Sequence, residues 1–325
     1  MTAPLLSVRD LRVEFPGPHG RPLVALDGVS FDLHRGEVLG MVGESGAGKS
    51  LTGAAIAGLI APPGRVAAGE RWLQGERLDH LTPAAWRQVR GRRVATIFQD
   101  PLTALNPLAT VGAQLVETIR AHGSLTPAQA RRRAADLLAE TGIPGAASRL
   151  DDHPHQFSGG MRQRVVIALA LAAEPELLVA DEPTTALDVS VQAQITGLLR
   201  RLCDTRGLGV LLVTHDMGVV ADTCDRVAVL YAGRIVELGS VDDVIHRPAH
   251  PYTVGLMGAI PPLDAVPDRL LQIGGVMPRL SARPSGCPFH PRCPHAMPRC
   301  AAEFPPARDV GGTRVCCWLH HEAVA

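Results

Sequence analysis

Lysine is almost missing. Of the 32 basic residues in this 325-residue chain, 31 are arginine and one, Lys49, is lysine. An excess of either charge is missing too, because 32 acidic residues match the 32 basic ones. That balance excludes a basic footprint spread over the whole surface, though not a local patch. No apolar run is long enough for a membrane span. The longest, Val165 to Ala173, stops at Glu174-Pro175, well short of the roughly 18 residues required. The stretch MTAPLLSVRDLRVEF at the N-terminus lacks the basic-then-apolar order of a secretory signal. The expected location is therefore the cytoplasm, with any membrane association made through a partner. No internal repeat stands out.

What is present is a large apolar fraction, 46%, and a length that suggests about two domains at roughly 100–200 residues each. Leu6 to Phe15 alternates apolar and polar residues as a half-buried strand does, and Val24 to Leu33 resumes that pattern after a Pro/Gly loop. Glu37 to Val42 is a short apolar run. Lys49 to Ile60 reads as a helix ended by Ala61-Pro62-Pro63-Gly64. Thr82-Pro83 and Thr126-Pro127 are each a cap followed by a first-turn proline. The second opens a helix running to about Glu140, whose triplet Arg131, Arg132 and Arg133 reads as a solvated face rather than a nucleic-acid contact. From Leu177 the pattern is strand, helix (Val189 to Cys203), strand (Val210 to Val213), then a hairpin around Ala232-Gly233-Arg234. Strands alternating with helices imply a mostly parallel sheet covered on both faces. After about Val241 proline becomes frequent, and five of the seven cysteines fall between Cys287 and Cys317.

The octet Gly43-Glu44-Ser45-Gly46-Ala47-Gly48-Lys49-Ser50 fits the pattern Gly-x-x-x-x-Gly-Lys-Ser, after a buried strand and before a helix. Its glycines let backbone N–H groups turn inward on phosphates, and the helix N-terminus adds partial positive charge. Lys49 is suited to the β- and γ-phosphates and Ser50 to Mg²⁺. A compact ammonium on a thin stem does what a broad guanidinium fork cannot, which gives a reason for the lone lysine to stand here. Leu177 to Asp181 is an apolar strand ending in an acid fit to hold the metal. Glu182 follows, placed to orient or deprotonate a water.

These residues carry a resemblance. Leu177-Leu-Val-Ala-Asp-Glu-Pro-Thr184 and Thr185-Ala186-Leu187-Asp188 resemble the Walker B and D-loop segments of ATP-binding cassette proteins. Phe157-Ser158-Gly159-Gly160-Met161 resembles their signature motif, usually Leu-Ser-Gly-Gly-Gln; the departures are Phe157 and Met161, beside the Ser-Gly-Gly core. Gln99 matches the Q-loop and His215 the switch histidine, all in the family's order. The resemblance implies an α/β, P-loop NTPase fold of the cassette type, with a nucleotide-binding domain over 1–245 and a helical subdomain over about 82–172. It implies nucleotide contacts from Gly43 to Ser50 and Leu51, with Phe15 stacking on adenine, although a plain core phenylalanine is the competing reading. It implies Mg²⁺ held by Ser50, Gln99 and Asp181, and hydrolysis served by Glu182, Gln99 and His215. Ser158, Gly159, Gly160 and Asp188 would face the nucleotide of an opposing subunit, so that two subunits close around two ATP molecules.

The tail narrows this further. Cys287, Cys293, Cys300 and Cys316-Cys317 are not spaced as the paired C-x2-C of common zinc folds, and disulfides are not expected in a cytoplasmic chain. Converging thiolates could hold an iron–sulfur cluster or zinc. His250-Pro251-Tyr252-Thr253 and the segment from Gly286 to Cys300 resemble the C-terminal extension of oligopeptide and dipeptide importer ATPases, as does Gln99 to Pro107. The resemblance implies a small loop-rich extension over 246–325 and a 4Fe–4S cluster on Cys287, Cys293, Cys300 and Cys317, with Cys316 or zinc as alternatives. His290, His295, His320 and His321 are further candidate ligands, whereas Cys203 and Cys224 read as packing residues. The implied partners are a second ATPase subunit, by family habit a paralogue, two membrane permeases and an extracytoplasmic peptide-binding protein, and no nucleic acid. The rival readings are an importer of nickel or another small solute, and a soluble cassette ATPase acting on nucleic acid or ribosomes.

Overall fold

The computed structural model describes residues 3–185, 187–260 and 272–321. Ala186 of the D-loop segment, and residues 261–271 and 322–325 of the expected extension, lie outside the described residues. The chain divides into two compact units. One comprises Met1–Leu6, Leu33–Val38 and Leu73–Leu212; the other comprises Ser7–Asp32, Leu39–Trp72 and Val213–Ala325.

In the first unit, Leu177–Asp181 lies between Gly209–Val213 and Val94–Ile97. Its pairing with Val94–Ile97 is parallel, in register from Val94 opposite Leu177 to Ile97 opposite Ala180. Gly209–Val213 is buried at every position and Leu177–Asp181 at all but its acid, as continuous apolar strands covered on both faces must be. The helices Val111–His122, Pro127–Glu140 and Gly159–Leu171 pack on one another. Thr82 and Thr126 cap their helices as expected, Thr126 in a reciprocal capping box with Gln129. Of the arginine triplet, Arg131 and Arg133 pair with Asp151 and Glu174 on the surface, as a solvated face would. The helix Val111–His122, capped by Thr110, was not anticipated.

In the second unit, Val38–Val42 pairs in parallel with Arg226–Tyr231, from Leu39 opposite Arg226 to Val42 opposite Val229. The expected hairpin joins Arg226–Tyr231 to Arg234–Ser240. The helix after the glycine loop is shorter than expected. It runs Lys49–Ile56, because Ala57 and the left-handed Gly58 (φ +66°) close it. A strand at Arg65–Leu73 follows, which the sequence pattern did not reveal. The loop-rich tail also carries short strands. Arg308–Val310 and Thr313–Val315 form an antiparallel pair, and the latter adds to Arg234–Ser240, with Glu237 opposite Val315.

Glu237 is fully buried and anchors the tail's first long helix, Pro251–Gly258. Its carboxylate accepts from the N–H groups of Ala249 (2.8 Å) and His250 (2.9 Å), while burial raises its pKa. His250 is buried as well, and burial holds its pKa down at about 3. It is therefore a neutral imidazole at physiological pH, and its Nδ1 accepts from Tyr252 N at 3.0 Å.

Candidate functional site

The glycine loop lies in the second unit, between a fully buried strand and the helix Lys49–Ile56. Gly43 takes φ +147°, and a Cβ there would stand 2.3 Å from the carbonyl oxygen of Leu230. Only glycine permits that approach. Gly48, left-handed, is the helix N-cap. Ala47 is buried and its carbonyl accepts from Gly233 N, while Ser45, Gly46 and Ser50 are exposed and Leu51 is half-buried. Lys49, 6% exposed, donates from Nζ to the carbonyls of Gly43 (2.8 Å) and Glu44 (3.2 Å). The one ammonium of the chain thus curls back over the loop that a phosphate would occupy.

Glu44 behaves differently from its neighbours. Its carboxylate meets the Arg292 guanidinium in a two-pronged pair, with both distances 3.0 Å, and its N–H donates to the Tyr252 hydroxyl at 2.8 Å. Neither Arg292 nor Tyr252 was singled out from sequence as a loop contact. Tyr252 stood inside the His-Pro-Tyr segment, yet nothing local linked it to Glu44.

Phe15 ends its strand half-buried, in a shallow depression lined also by Glu14, Pro16, Pro22, Pro63 and Arg65. Its ring packs on Gly64, where a Cβ would come within 2.6 Å of it. His215 is exposed, between buried Thr214 and Asp216, whose carboxylate caps the next helix through the N–H groups of Gly218 and Val219.

The first unit brings Gln99 and Glu182 together. Gln99 Nε2 donates to Glu182 Oε2 at 3.0 Å, and the Thr185 hydroxyl donates to the same oxygen at 2.9 Å. Glu182 itself sits at φ +46°, a left-handed conformation uncommon for a residue with a side chain and costing about 1–3 kcal/mol. Asp181 ends the buried strand just before it. Ser158 is the exposed N-cap of Gly159–Leu171, its Oγ accepting from Met161 N. Phe157, one of the two departures in the signature, is buried at 2% exposure. Gly160 packs so closely on the helix after the D-loop that a Cβ would lie 2.5 Å from Val191 Cγ1. Asp188 caps that helix by accepting from Val191 N at 2.9 Å, and this bond leads the causes that lower its pKa.

In the tail, Cys287, Cys300 and Cys317 are buried and Cys293 is half-buried. Burial pushes the thiols of Cys287 and Cys317 up to about 11, and Cys293 and Cys300 push both in the same direction. Cys293 is raised likewise by burial and by Cys300. Cys316 belongs elsewhere: burial raises its pKa, but its charged neighbours are Arg314 and Arg234, beside which it lines a separate depression. Among the described residues, no group of three or more His, Cys, Asp or Glu side chains is arranged to hold a single metal ion. Three of the four histidines considered as ligands turn to backbone instead, His290 to Cys287 O, His320 to Ala249 O and His321 to Pro306 O.

With this geometry in place, two family profiles match the chain. One, described as "ABC transporter", covers residues 26–185, and another, "Oligopeptide/dipeptide transporter, C-terminal region", covers residues 236–300. The dipeptide transport ATP-binding protein DppD of Escherichia coli is 48% identical over 93% of this chain and 92% of its own. This chain belongs to the ATP-binding subunits of dipeptide and oligopeptide ABC transporters. DppD of Bacillus subtilis is 46% identical over 98% of this chain and 95% of its own, and OppD of E. coli 47% identical over 94% and 91%. Among solved structures, the cassette MJ0796, captured as a dimer in a post-hydrolysis state with ADP and Pi, matches with TM-score 0.64 at 27% identity. That match covers 73% of this chain and 98% of the cassette. The cassette cbiO1 of Clostridium perfringens matches with TM-score 0.65 at 28% identity, over 76% and 92%. The family makes the chain an ATPase that works with ATP and Mg²⁺. No helix among the described residues is long and apolar enough to cross a membrane.

Proposed function

We propose that this ATPase powers the uptake of dipeptides or oligopeptides, as a peripheral subunit on the cytoplasmic face of a membrane importer. The observation that carries the reading is the union, in one chain, of the nucleotide motifs with a tail matching the peptide-transporter C-terminal region. Its partners in this reading are a second ATPase subunit (a paralogue), two permeases and an extracytoplasmic peptide-binding protein. The surface supports both contacts. Phe98, 51% exposed, and Leu108, 88% exposed, flank the segment from Gln99 to Pro107 and offer apolar side chains to a permease. Ser158 and Gly159 are exposed, as is Val189 beside the D-loop, on surfaces suited to an opposing subunit.

The chemistry follows from the side chains. Lys49 would neutralise charge at the β- and γ-phosphates, and Ser50, Asp181 and Gln99 each carry an oxygen that would suit Mg²⁺. Glu182 orients or deprotonates the attacking water, and His215 steadies the γ-phosphate. Gln99 donates directly to the Glu182 carboxylate at 3.0 Å. The loop offered to the permease is thereby tied to the base. Ser158, Gly159 and Gly160, at a helix N-terminus, bring partial positive charge to the partner's γ-phosphate, and hydrolysis removes the charge that held the subunits together.

We infer also that Cys287, Cys293, Cys300 and Cys317 hold a 4Fe–4S cluster. Cys316 instead lines a depression with Arg234 and Arg314, which supports Cys317 as the fourth ligand. A single zinc draws four sulfurs to 2.3 Å from one point, whereas a cluster spreads them over four irons. Anaerobically purified chain should carry iron and sulfide, lost in Cys317→Ser and kept in Cys316→Ser. Stoichiometric zinc with no sulfide would remove the cluster.

The functional test is transport. The ATPase, co-purified with its membrane partners and placed in proteoliposomes with the binding protein, should hydrolyse ATP faster when peptide is added. Stimulation by nickel instead of peptide would change the cargo. A response confined to nucleic acid or ribosomes would sink the importer reading.

A further inference from the structure

The phosphate loop is built from glycines, and glycine loses more conformational freedom on ordering than any other residue. A loop that waits for its ligand in a disordered state loses affinity by that ordering cost, and bracing it beforehand restores the affinity. The tail supplies such a brace. Arg292 is 7% exposed, and its fork is fully engaged. Nη1 and Nη2 each reach a different oxygen of Glu44 at 3.0 Å, and Nη1 also donates to the Tyr231 hydroxyl at 3.2 Å. Nε donates to Gly274 O at 2.8 Å and Nη2 to Ile273 O. Tyr252, fully buried, accepts the Glu44 N–H. Its ring stands in edge or tilted contact with Tyr231 (4.7 Å) and Phe289 (5.4 Å), so the hydroxyl is delivered from a rigid aromatic group. Three residues on from Gly274, Met277 reaches to 3.9 Å from where a Gly46 Cβ would stand. The tail therefore touches the loop at two of its residues, from segments more than 200 positions away in the chain.

We propose that Arg292 and Tyr252 are positioning residues for nucleotide binding: they fasten Glu44 and so hold the phosphate loop ready before ATP arrives. Arginine is required because only its planar fork meets both carboxylate oxygens while keeping a donor for the carbonyls behind it. A lysine would keep the charge and lose the geometry. The inference rests on residues 43–50 being the phosphate cradle, and the test separates the two.

ATP·Mg affinity is measured on the purified full chain, beside the melting temperature without nucleotide, for Arg292→Ala, Arg292→Lys, Glu44→Ala, the double Arg292→Ala/Glu44→Ala and Lys49→Ala. Arg292→Ala is expected to weaken ATP binding about tenfold, the scale of coupling between linked sites. Glu44→Ala should do the same, and the double variant should be no worse than either single one, since both act through one ion pair. Arg292→Lys should recover little. Glu44 is partly exposed, so its alanine variant keeps the test open if Arg292→Ala does not fold. The brace is overturned if Arg292→Ala and Glu44→Ala bind ATP within twofold of the parent, or if their losses add. A lowered melting temperature with unchanged ATP affinity likewise reduces the pair to ordinary packing. If Lys49→Ala binds ATP as well as the parent, the assignment of the loop itself fails and takes the brace with it; if Lys49→Ala is dead and Arg292→Ala is neutral, the brace alone falls.

Discussion

The two motifs proposed to close on phosphate are held in different ways. The glycine loop is fastened from far along the chain, by Arg292 and Tyr252 on Glu44 and by the Leu230 backbone against Gly43. The signature turn at Ser158 is held by its helix cap, by Arg162 donating to the carbonyls of Pro154 and Phe157, and by the close fit of Gly160 on Val191. The first arrangement is that of a site which must be in shape before its ligand comes. The second leaves exposed the groups that, in the proposed mechanism, meet a phosphate held by another subunit. Between these extremes stands Glu182, bonded to Gln99 and Thr185 but held in a costly backbone conformation. Strain retained at such a residue is a mark of function over stability.

The largest effect expected from this contrast is on Glu182. Glu182→Gln keeps the size and the bonding to Gln99 and Thr185 while removing the base. Turnover by the assembled ATPase should fall about a thousandfold, within the range that general base catalysis supplies, and ATP affinity should stay within twofold of the parent. Phosphate release and equilibrium nucleotide binding together measure this split. It is the converse of the outcome expected for Arg292→Ala, where affinity should fall. If Glu182→Gln lost binding and turnover equally, the division between a binding half and a chemical half would collapse. Near-normal turnover would remove Glu182 from the mechanism.

The nucleotide motifs were legible because each is a short run whose chemistry is local. Gly43 to Ser50, Asp181-Glu182 and Ser158-Gly159-Gly160 announce themselves within a few residues and stand on the strands and helices expected of them. The brace was not legible, because Glu44 and Arg292 are 248 positions apart and no spacing rule joins them. Secondary structure failed where its signals were weak. Arg65–Leu73 shows no alternation, exposing both neighbours Ala67 and Ala68, so the period of a half-buried strand is absent. The helix from Lys49 was drawn too long because the apolar pattern continues through Leu59 and Ile60, past the left-handed Gly58 that ends it. Between Cys316 and Cys317, only the resemblance favoured Cys317, and their adjacency left the assignment open. They separate only when the strand Thr313–Val315 adds to the sheet, where Cys316 N bonds Val236 O and Cys316 sits beside arginines while Cys317 joins the other cysteines.

The smallest expected effect sharpens the contrast most. Ser158→Ala removes a helix cap whose Oγ accepts from Met161 N, a loss of about 1 kcal/mol. If the signature turn serves only the phosphate of an opposing subunit, ATP affinity measured on the isolated chain should be unchanged and its melting temperature should drop by a few degrees at most. Turnover of the assembled pair should fall about tenfold, as for one lost hydrogen bond to a charged group. Ser158→Thr keeps both the cap and the hydroxyl, and should restore turnover. A capping defect alone would predict the same modest loss in stability but no gap between the isolated chain and the assembled pair. Weakened ATP binding in the isolated chain would mean that Ser158 works on the nucleotide of its own subunit. The exposed turn would then be no less committed to its own nucleotide than the braced loop.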